Sequence, residues 1–196
     1  MPAQIFLIRH GQTAWSESGQ HTSRTDLPLT PEGERGARRL AERLRGFTFA
    51  AVFASPRQRA RQTCAWAGLG EPMAVEPDLA EWDYGRYEGL RSGEILAQRP
   101  DWNLFRDGCP DGESPAEVSA RADRLLARLR SLGGNIALFS HGHFGRVLAA
   151  RWTGWPVLAG QRLLLDPATL SILGYEHNEP ALPVIALWNA GADFRR

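Results

Sequence analysis

Short apolar segments alternate with capped amphipathic helices over roughly the first 150 residues of this chain, and that alternation constrains the fold more than any other feature. Positions 4–8, 51–54 and 135–139 are too short for ordinary helices and rich in β-formers, so each reads as a buried strand. Positions 73–75 read as a weaker one. Helix signals lie between them. Thr30-Pro31 supplies an N-cap and a proline at the first helical position, and Ala37, Leu40, Ala41 and Leu44 recur at the spacing of one buried face. Ser55-Pro56 repeats the device and predicts a helix to about Ala67, stopped by Gly68 and Gly70. Ser114-Pro115-Ala116-Glu117 is a capping box, with Val118, Ala122, Leu125, Leu126, Leu129 and Leu132 on the apolar side of the helix it opens. A short helix is expected at 93–98 and another at 144–152. Apolar runs at 163–165, 170–173 and 184–188 read as antiparallel edge strands, and 9–29, 81–89 and 100–112 as loops. The expected fold class is α/β: three α/β/α layers around a mostly parallel sheet with an antiparallel edge. One domain over 1–196 is expected, with a small insertion around 99–113.

Charge narrows the choice of partner. The 23 basic and 22 acidic residues leave a net charge of +1, too little for bulk binding to nucleic acid or a membrane surface, so any anion site must be local. Cys64 and Cys109 lack the spacing of a redox or zinc motif and read as ordinary thiols. The apolar stretch after Met1 is too short for a signal peptide, and nothing reaches the length of a membrane span, so a cytoplasmic address is the expectation.

Two histidines fall directly after expected strands: His10 after the first, preceded by Arg9, and His141 after 135–139. Ligands of open α/β sheets bind outside the carboxyl ends of the strands, so residues far apart in sequence can converge there. Arg57, Arg59 and Arg61 crowd the start of the helix after the second strand, where guanidinium groups and helix N–H groups favour an anion. Singly, a loop histidine is usually structural and an arginine-rich first turn usually a solvated face; the joint placement carries the argument. Such a set suits phosphoryl transfer. Neutral imidazole is a nucleophile near pH 7, a second histidine kept protonated and the arginines bind phosphoryl oxygens, and a carboxyl can protonate the leaving alkoxide and then activate water. Glu81, in the glycine-aromatic loop, is the first candidate for that carboxyl, with Glu88 and Glu17 behind it.

At these residues the chain resembles the histidine phosphatase superfamily, which includes phosphoglycerate mutases and acid phosphatases. The matching segments run in family order: Leu7-Ile8-Arg9-His10-Gly11-Gln12-Thr13, then Thr25-Asp26-Leu27-Pro28-Leu29-Thr30, then Ser55-Pro56-Arg57-Gln58-Arg59-Ala60-Arg61-Gln62-Thr63, then Glu81-Trp82-Asp83-Tyr84-Gly85-Arg86-Tyr87-Glu88-Gly89, and Ser140-His141-Gly142-His143. The resemblance implies a phosphoglycerate mutase-like fold, His10 as phosphohistidine nucleophile, Arg9, Arg59 and His141 as the remaining phosphate pocket, and Glu81 as proton donor. Residues 107–114, 141–146 and 175–177 look closer to a subgroup containing sugar-bisphosphate phosphatases. That likeness sets Thr22, Ser23, Tyr84, Gly142, Arg146 and His177 against the rest of the substrate. Gln12 stands where much of the superfamily has glutamate, removing a negative charge from the expected pocket mouth.

The leading expectation is a metal-independent phosphatase of small phosphomonoesters, with no cofactor and a small phosphorylated metabolite as partner. A phosphoglycerate mutase is the alternative enzyme. It needs an enclosing cationic lid, for which 100–112 offers only Arg106 against Asp101, Asp107 and Asp111. A non-catalytic phosphate binder is a third reading, and zinc at His141, His143 and His10 or His177 a fourth, opposed by Arg9. Trp152 and Trp155 could cover an oligomer surface, although core is the commoner fate of tryptophan.

Overall fold

The computed structural model describes residues 2–191; Met1 and 192–196, the ends of the expected single unit, lie outside them. Its centre is a six-stranded sheet built from β1 (Gln4–Arg9), β2 (Ala51–Ala54), β3 (Ala74–Val75), β4 (Asn135–Ser140), β5 (Leu170–Tyr175) and β6 (Pro183–Ala190), in the order β3-β2-β4-β1-β5-β6. The first four strands in that order are parallel; β5 is antiparallel to β1, and β6 to β5.

Alternation along the inner strands separates two cores. Ile5 and Leu7 of β1, with Ile136 and Leu138 of β4, face one way, toward α6 (Pro115–Arg130) and α7 (Gly142–Trp152). Phe6 and Ile8, with Ala137 and Phe139, face the other, toward α2 (Pro31–Leu44) and α3 (Gln58–Trp66). Burial on both sides explains the continuous apolar runs, since a parallel sheet between helix layers leaves no face for polar residues. The three-layer α/β/α arrangement with an antiparallel edge is thus present.

Local signals explain most element boundaries. Thr30 caps α2 by accepting from Gly33 N, and Ser114 and Glu117 form the reciprocal box that starts α6. Leu132 lies beyond the end of α6 and is exposed. Helix α3 begins later than Ser55-Pro56 suggests. Ser55 Oγ engages His141 and Arg57 N, and the helix is capped from a distance by Asp26, whose carboxylate accepts from Gln58 N at 2.8 Å.

Other differences are short. The loop after β1 contains α1 (Ala14–Ser18), opened by a Thr13-Ser16 capping box and closed by Gly19. Helix α4 (Ser92–Gln98) lies where a short helix is expected, and α5 (Leu104–Asp107) forms inside the segment expected to be irregular. The run 163–165 is no strand: Leu164 is exposed, and the Leu165 carbonyl accepts from the Arg9 guanidinium instead of a sheet neighbour. Trp152 is wholly buried and donates to Gly174 O, which places it in the core, whereas Trp155 is half exposed.

The loop after β1 packs tightly on α2. A Cβ on Gly11 would meet Gly33 O at 2.5 Å, and one on Gly33 would meet Gln12 O at 2.1 Å, so both positions need glycine for this approach. Among the described residues no helix is long and apolar enough to cross a membrane.

Candidate active site

Parallel pairing brings the two strand-end histidines together. Arg9 lies opposite Ser140 and Ala54 opposite Phe139, so the residues that follow, His10, His141 and Ser55, stand side by side at one edge of the sheet. His10 N donates to Ser140 O at 2.9 Å, and the His10 and His141 rings meet edge to face with centroids 5.2 Å apart.

The His10 ring has a defined orientation. Its Nδ1–H donates to the Gly11 carbonyl at 2.7 Å, because a carbonyl can only accept, and this leaves Nε2 with its lone pair. Burial, reinforced by Arg59 and Arg9, holds the His10 pKa well below the ordinary 6.5. His141 is also held well below 6.5, by burial and then by Arg59, His10, Arg9 and Arg57. Its Nε2 bonds Ser55 Oγ at 2.7 Å, while Arg59 Nε donates to its Nδ1 at 3.3 Å. The expected protonated second histidine is therefore neutral against these arginines. A phosphoryl dianion, opposing them, favours its protonation.

The three arginines of the strand-to-helix turn have different fates. Arg61 is exposed and Arg57 half-buried, while Arg59 has no exposed surface. Its guanidinium donates to the carbonyls of Thr22, Ser23 and Thr25. Glu88 holds the same loop from the other side by accepting from Ser23 N and Thr25 N. Glu88, a candidate acid from sequence, is thus taken up in building that loop, and Glu17 lines a separate cavity beside α2.

Glu81 is buried against the start of α7. Its Oε1 accepts from Trp82 N at 2.9 Å and Phe144 N at 2.7 Å, and Oε2 accepts from His143 N at 3.1 Å. A carboxylate at a helix N-terminus meets unpaired N–H donors and the positive end of the dipole. Arg121, on α6, fixes the loop carrying Glu81 by donating to the carbonyls of Asp78, Ala80 and Glu81 while pairing with Glu113. Nothing local in the sequence distinguishes Arg121 from other helix arginines.

Arg9, His10, Thr22, Glu81, Tyr84 and Arg146 are among the residues that line a cavity of about 170 Å³, whereas Arg59 and His141 are buried outside its lining. Gly142 also lines it, and a Cβ there would press within 3.2 Å of the Arg9 guanidinium carbon. Ser23 is buried outside that lining and contributes backbone bonds to Glu88 and Arg59. His177 does not belong with them. It follows β5, whose Leu173 pairs with Ile5 and whose chain runs on toward the amino end of β1, so the antiparallel direction puts an 85% exposed His177 at the far edge of the sheet. Gln12 is likewise diverted, its Oε1 accepting from Thr30 Oγ1 at 2.7 Å. Conversely, His21, which has no role in the sequence reading, and His143, which enters it only as an alternative zinc ligand, line the cavity. His143 was visible in Ser140-His141-Gly142-His143; His21 carried no signal.

Burial pushes both cysteine thiols up to about 12, as befits packed side chains. Among the described residues no cluster of three or more His, Cys, Asp or Glu could hold a metal ion.

The buried histidines set a pH dependence of stability. His10, His141 and His143 all have pKa values lowered in the fold, so below 6.5 the unfolded chain binds more protons than the folded one. Stability should therefore fall as pH drops through 6.5, with each histidine contributing about 1.4 kcal/mol per pH unit until its folded pKa is reached. Urea unfolding between pH 7.5 and 5 checks this. His143→Phe should make the slope shallower by one histidine's share, and an unchanged slope would refute the assignment.

The model of the histidine phosphatase superfamily (branch 1) matches residues 5–190. The chain is 42% identical over 189 residues, covering 94% of itself and 92% of the relative, to an acid phosphatase of Mycobacterium tuberculosis. It is 38% identical over 183 residues to sedoheptulose 1,7-bisphosphatase of Saccharomyces cerevisiae, covering 77% of this chain and 68% of that one. An Enterobacter protein named "Probable phosphoglycerate mutase GpmB" is 32% identical over 89% of this chain and 86% of its own. With residues 5–190 of its 196 matched, the chain belongs to the histidine phosphatase superfamily, branch 1.

Proposed function

We propose that this protein is a phosphatase of small phosphate monoesters that works without a metal ion, passing the phosphoryl group through His10. The observation that carries the reading is the Nδ1–H bond from His10 to Gly11 O, which commits Nε2 as the nucleophile in a pocket edged by Arg9 and Glu81, with Arg59 buried close enough to lower the His10 pKa.

In the first step Nε2 forms a bond to phosphorus as the ester P–O bond breaks, and Glu81, in its protonated form, gives its proton to the departing alkoxide. In the second, water attacks the phosphohistidine, its proton passes to the Glu81 carboxylate, and the N–P bond breaks to release phosphate. Oε2 of Glu81, with one backbone donor against two at Oε1, has room for that proton. Arg9 and Arg59 offset charge on the phosphoryl oxygens, and His141 joins them once protonated. The lowered His10 pKa keeps Nε2 free of a proton into the acid range.

A cavity of about 170 Å³ suits a small metabolite, since pockets for drug-sized ligands run to about 300–1,000 Å³. The mutase reading needs cations that hold a released product. In the insertion Arg106 is already committed to Asp107, whose carboxyl it holds down to about 2, and to the Asp101 carbonyl, while Arg99 lies 3.6 Å from Asp107. Hydrolysis is accordingly favoured.

The test is a screen in EDTA on sugar phosphates, sugar bisphosphates, 4-nitrophenyl phosphate and 3-phosphoglycerate, with His10→Ala as control. Phosphate release that disappears in the variant is expected. Conversion of 3-phosphoglycerate to its 2-isomer without release would make the protein a mutase, and no turnover on any substrate would overturn the enzymatic reading.

A further inference from the structure

Two histidines beside the phosphate pocket have no part in the phosphoryl transfer. The His21 and His143 rings lie within 14° of parallel with centroids 5.8 Å apart, in an aromatic group with Tyr84, Trp102 and Phe105. Phenylalanine would pack in such surroundings without any polar atom to satisfy. Each histidine instead has one nitrogen bonded within the protein and one without a partner among the described residues.

The bonded nitrogens define what the others offer. Leu90 O can only accept, so His21 donates through Nδ1–H at 2.8 Å, and in the neutral ring its Nε2 is an acceptor. Tyr84 Oη lies 2.6 Å from His143 Nδ1, a separation that suits an O–H donor better than an N–H donor. Tyr84 keeps its proton, because burial and Glu81 push its pKa well above 10.0, and His143 stays neutral under burial, Arg146, His21 and Arg9. With Nδ1 accepting, His143 Nε2 carries the hydrogen and is a donor.

Both histidines border two cavities. One is the phosphate pocket; the other, about 270 Å³, extends past Trp102 and Phe105 to Asn103 and Gln161. Ser92 and Arg146 share this dividing wall, and Arg146 is anchored by Nε and Nη2 to the carbonyls of Gly160 and Gln161.

We propose that His21 and His143 are specificity-determining residues that recognise hydroxyl groups on the alcohol part of the substrate, directing a polyhydroxylated leaving group from the phosphate pocket toward the second cavity. A hydroxyl donates and accepts at once, so it matches an acceptor beside a donor. A carboxylate would match only His143, and an ammonium only His21. Tyr84 is a positioning residue, since it fixes which His143 nitrogen carries the hydrogen. This inference rests on the phosphatase reading and names the substrate class within it: monophosphate esters of polyols.

The experiment compares kcat/KM for ribose 5-phosphate and glucose 6-phosphate with that for 4-nitrophenyl phosphate, whose leaving group has no further hydroxyl. In His21→Phe and His143→Phe the sugar-to-aryl ratio should fall about 10- to 100-fold, the scale on which removing one partner of a buried hydrogen bond acts. His143→Gln, which restores an N–H near the Nε2 position, should recover part of the ratio. Tyr84→Phe should lower it by a smaller factor and supplies the test if a histidine variant fails to fold, as judged by circular dichroism. A ratio unchanged within about twofold in folded variants, or equal losses on all substrates, overturns the proposal. Failure of the phosphatase reading looks different: the unmodified protein would then release phosphate from none of them.

Discussion

Replacing His10 by alanine should lower turnover by about 10⁴-fold or more while leaving a folded protein, because the substitution removes the nitrogen to which the phosphoryl group is transferred. The fold should survive for local reasons. The backbone bonds of position 10, from its N–H to Ser140 O and from Ala168 N to its carbonyl, do not involve the ring. The side chain removed is also one that burial and two arginines already disfavour in its charged form. Quenched-flow labelling gives the second readout: acid-labile phosphate on the unmodified protein during turnover, none on His10→Ala. A variant that keeps more than about one per cent of the rate would remove His10 from the chemistry.

Glu81→Gln should slow alkyl phosphate hydrolysis by about 10²- to 10³-fold and 4-nitrophenyl phosphate hydrolysis much less, since an aryl oxide leaves without needing a proton. Oxygen of the amide can still accept from Trp82 N and Phe144 N, but its NH₂ then faces His143 N, two donors where Glu81 Oε2 now accepts. That mismatch costs about 1–3 kcal/mol of stability and lowers the melting temperature without changing substrate preference. The comparison of leaving groups therefore separates the two roles. Equal losses on both substrates would mean that Glu81 only anchors the start of α7.

How far the sequence could be read depended on the range of the interaction. Thr30, Ser114 and Glu117 act within one helical turn, and their helices begin where those residues say. Ile5 to Ile8 could be recognised as a strand buried on both faces because every residue of the run is apolar. The α3 start was misplaced because its cap, Asp26, lies distant in sequence and Ser55 is engaged by His141. The apolar run 163–165 fails as a strand because the Leu165 carbonyl is claimed by Arg9.

The same division runs through the site. Arg9, His10 and His141 could be placed from sequence because strand ends in a parallel sheet share one edge, a consequence of β–α alternation alone. Which of Arg57, Arg59 and Arg61 is buried against His141, why Glu88 is spent on a loop and Glu81 is not, and why His177 stands at the opposite edge while His21 lines the cavity were decided by tertiary structure. Local sequence determines capping, strand length and which faces are apolar, so it determined the layers and the edge where phosphate chemistry could be built. The aim of each remaining polar side chain depends on carbonyls and carboxylates contributed by distant segments, such as Leu90 for His21 and Thr22 to Thr25 for Arg59, and those partners exist only once the chain has closed on itself.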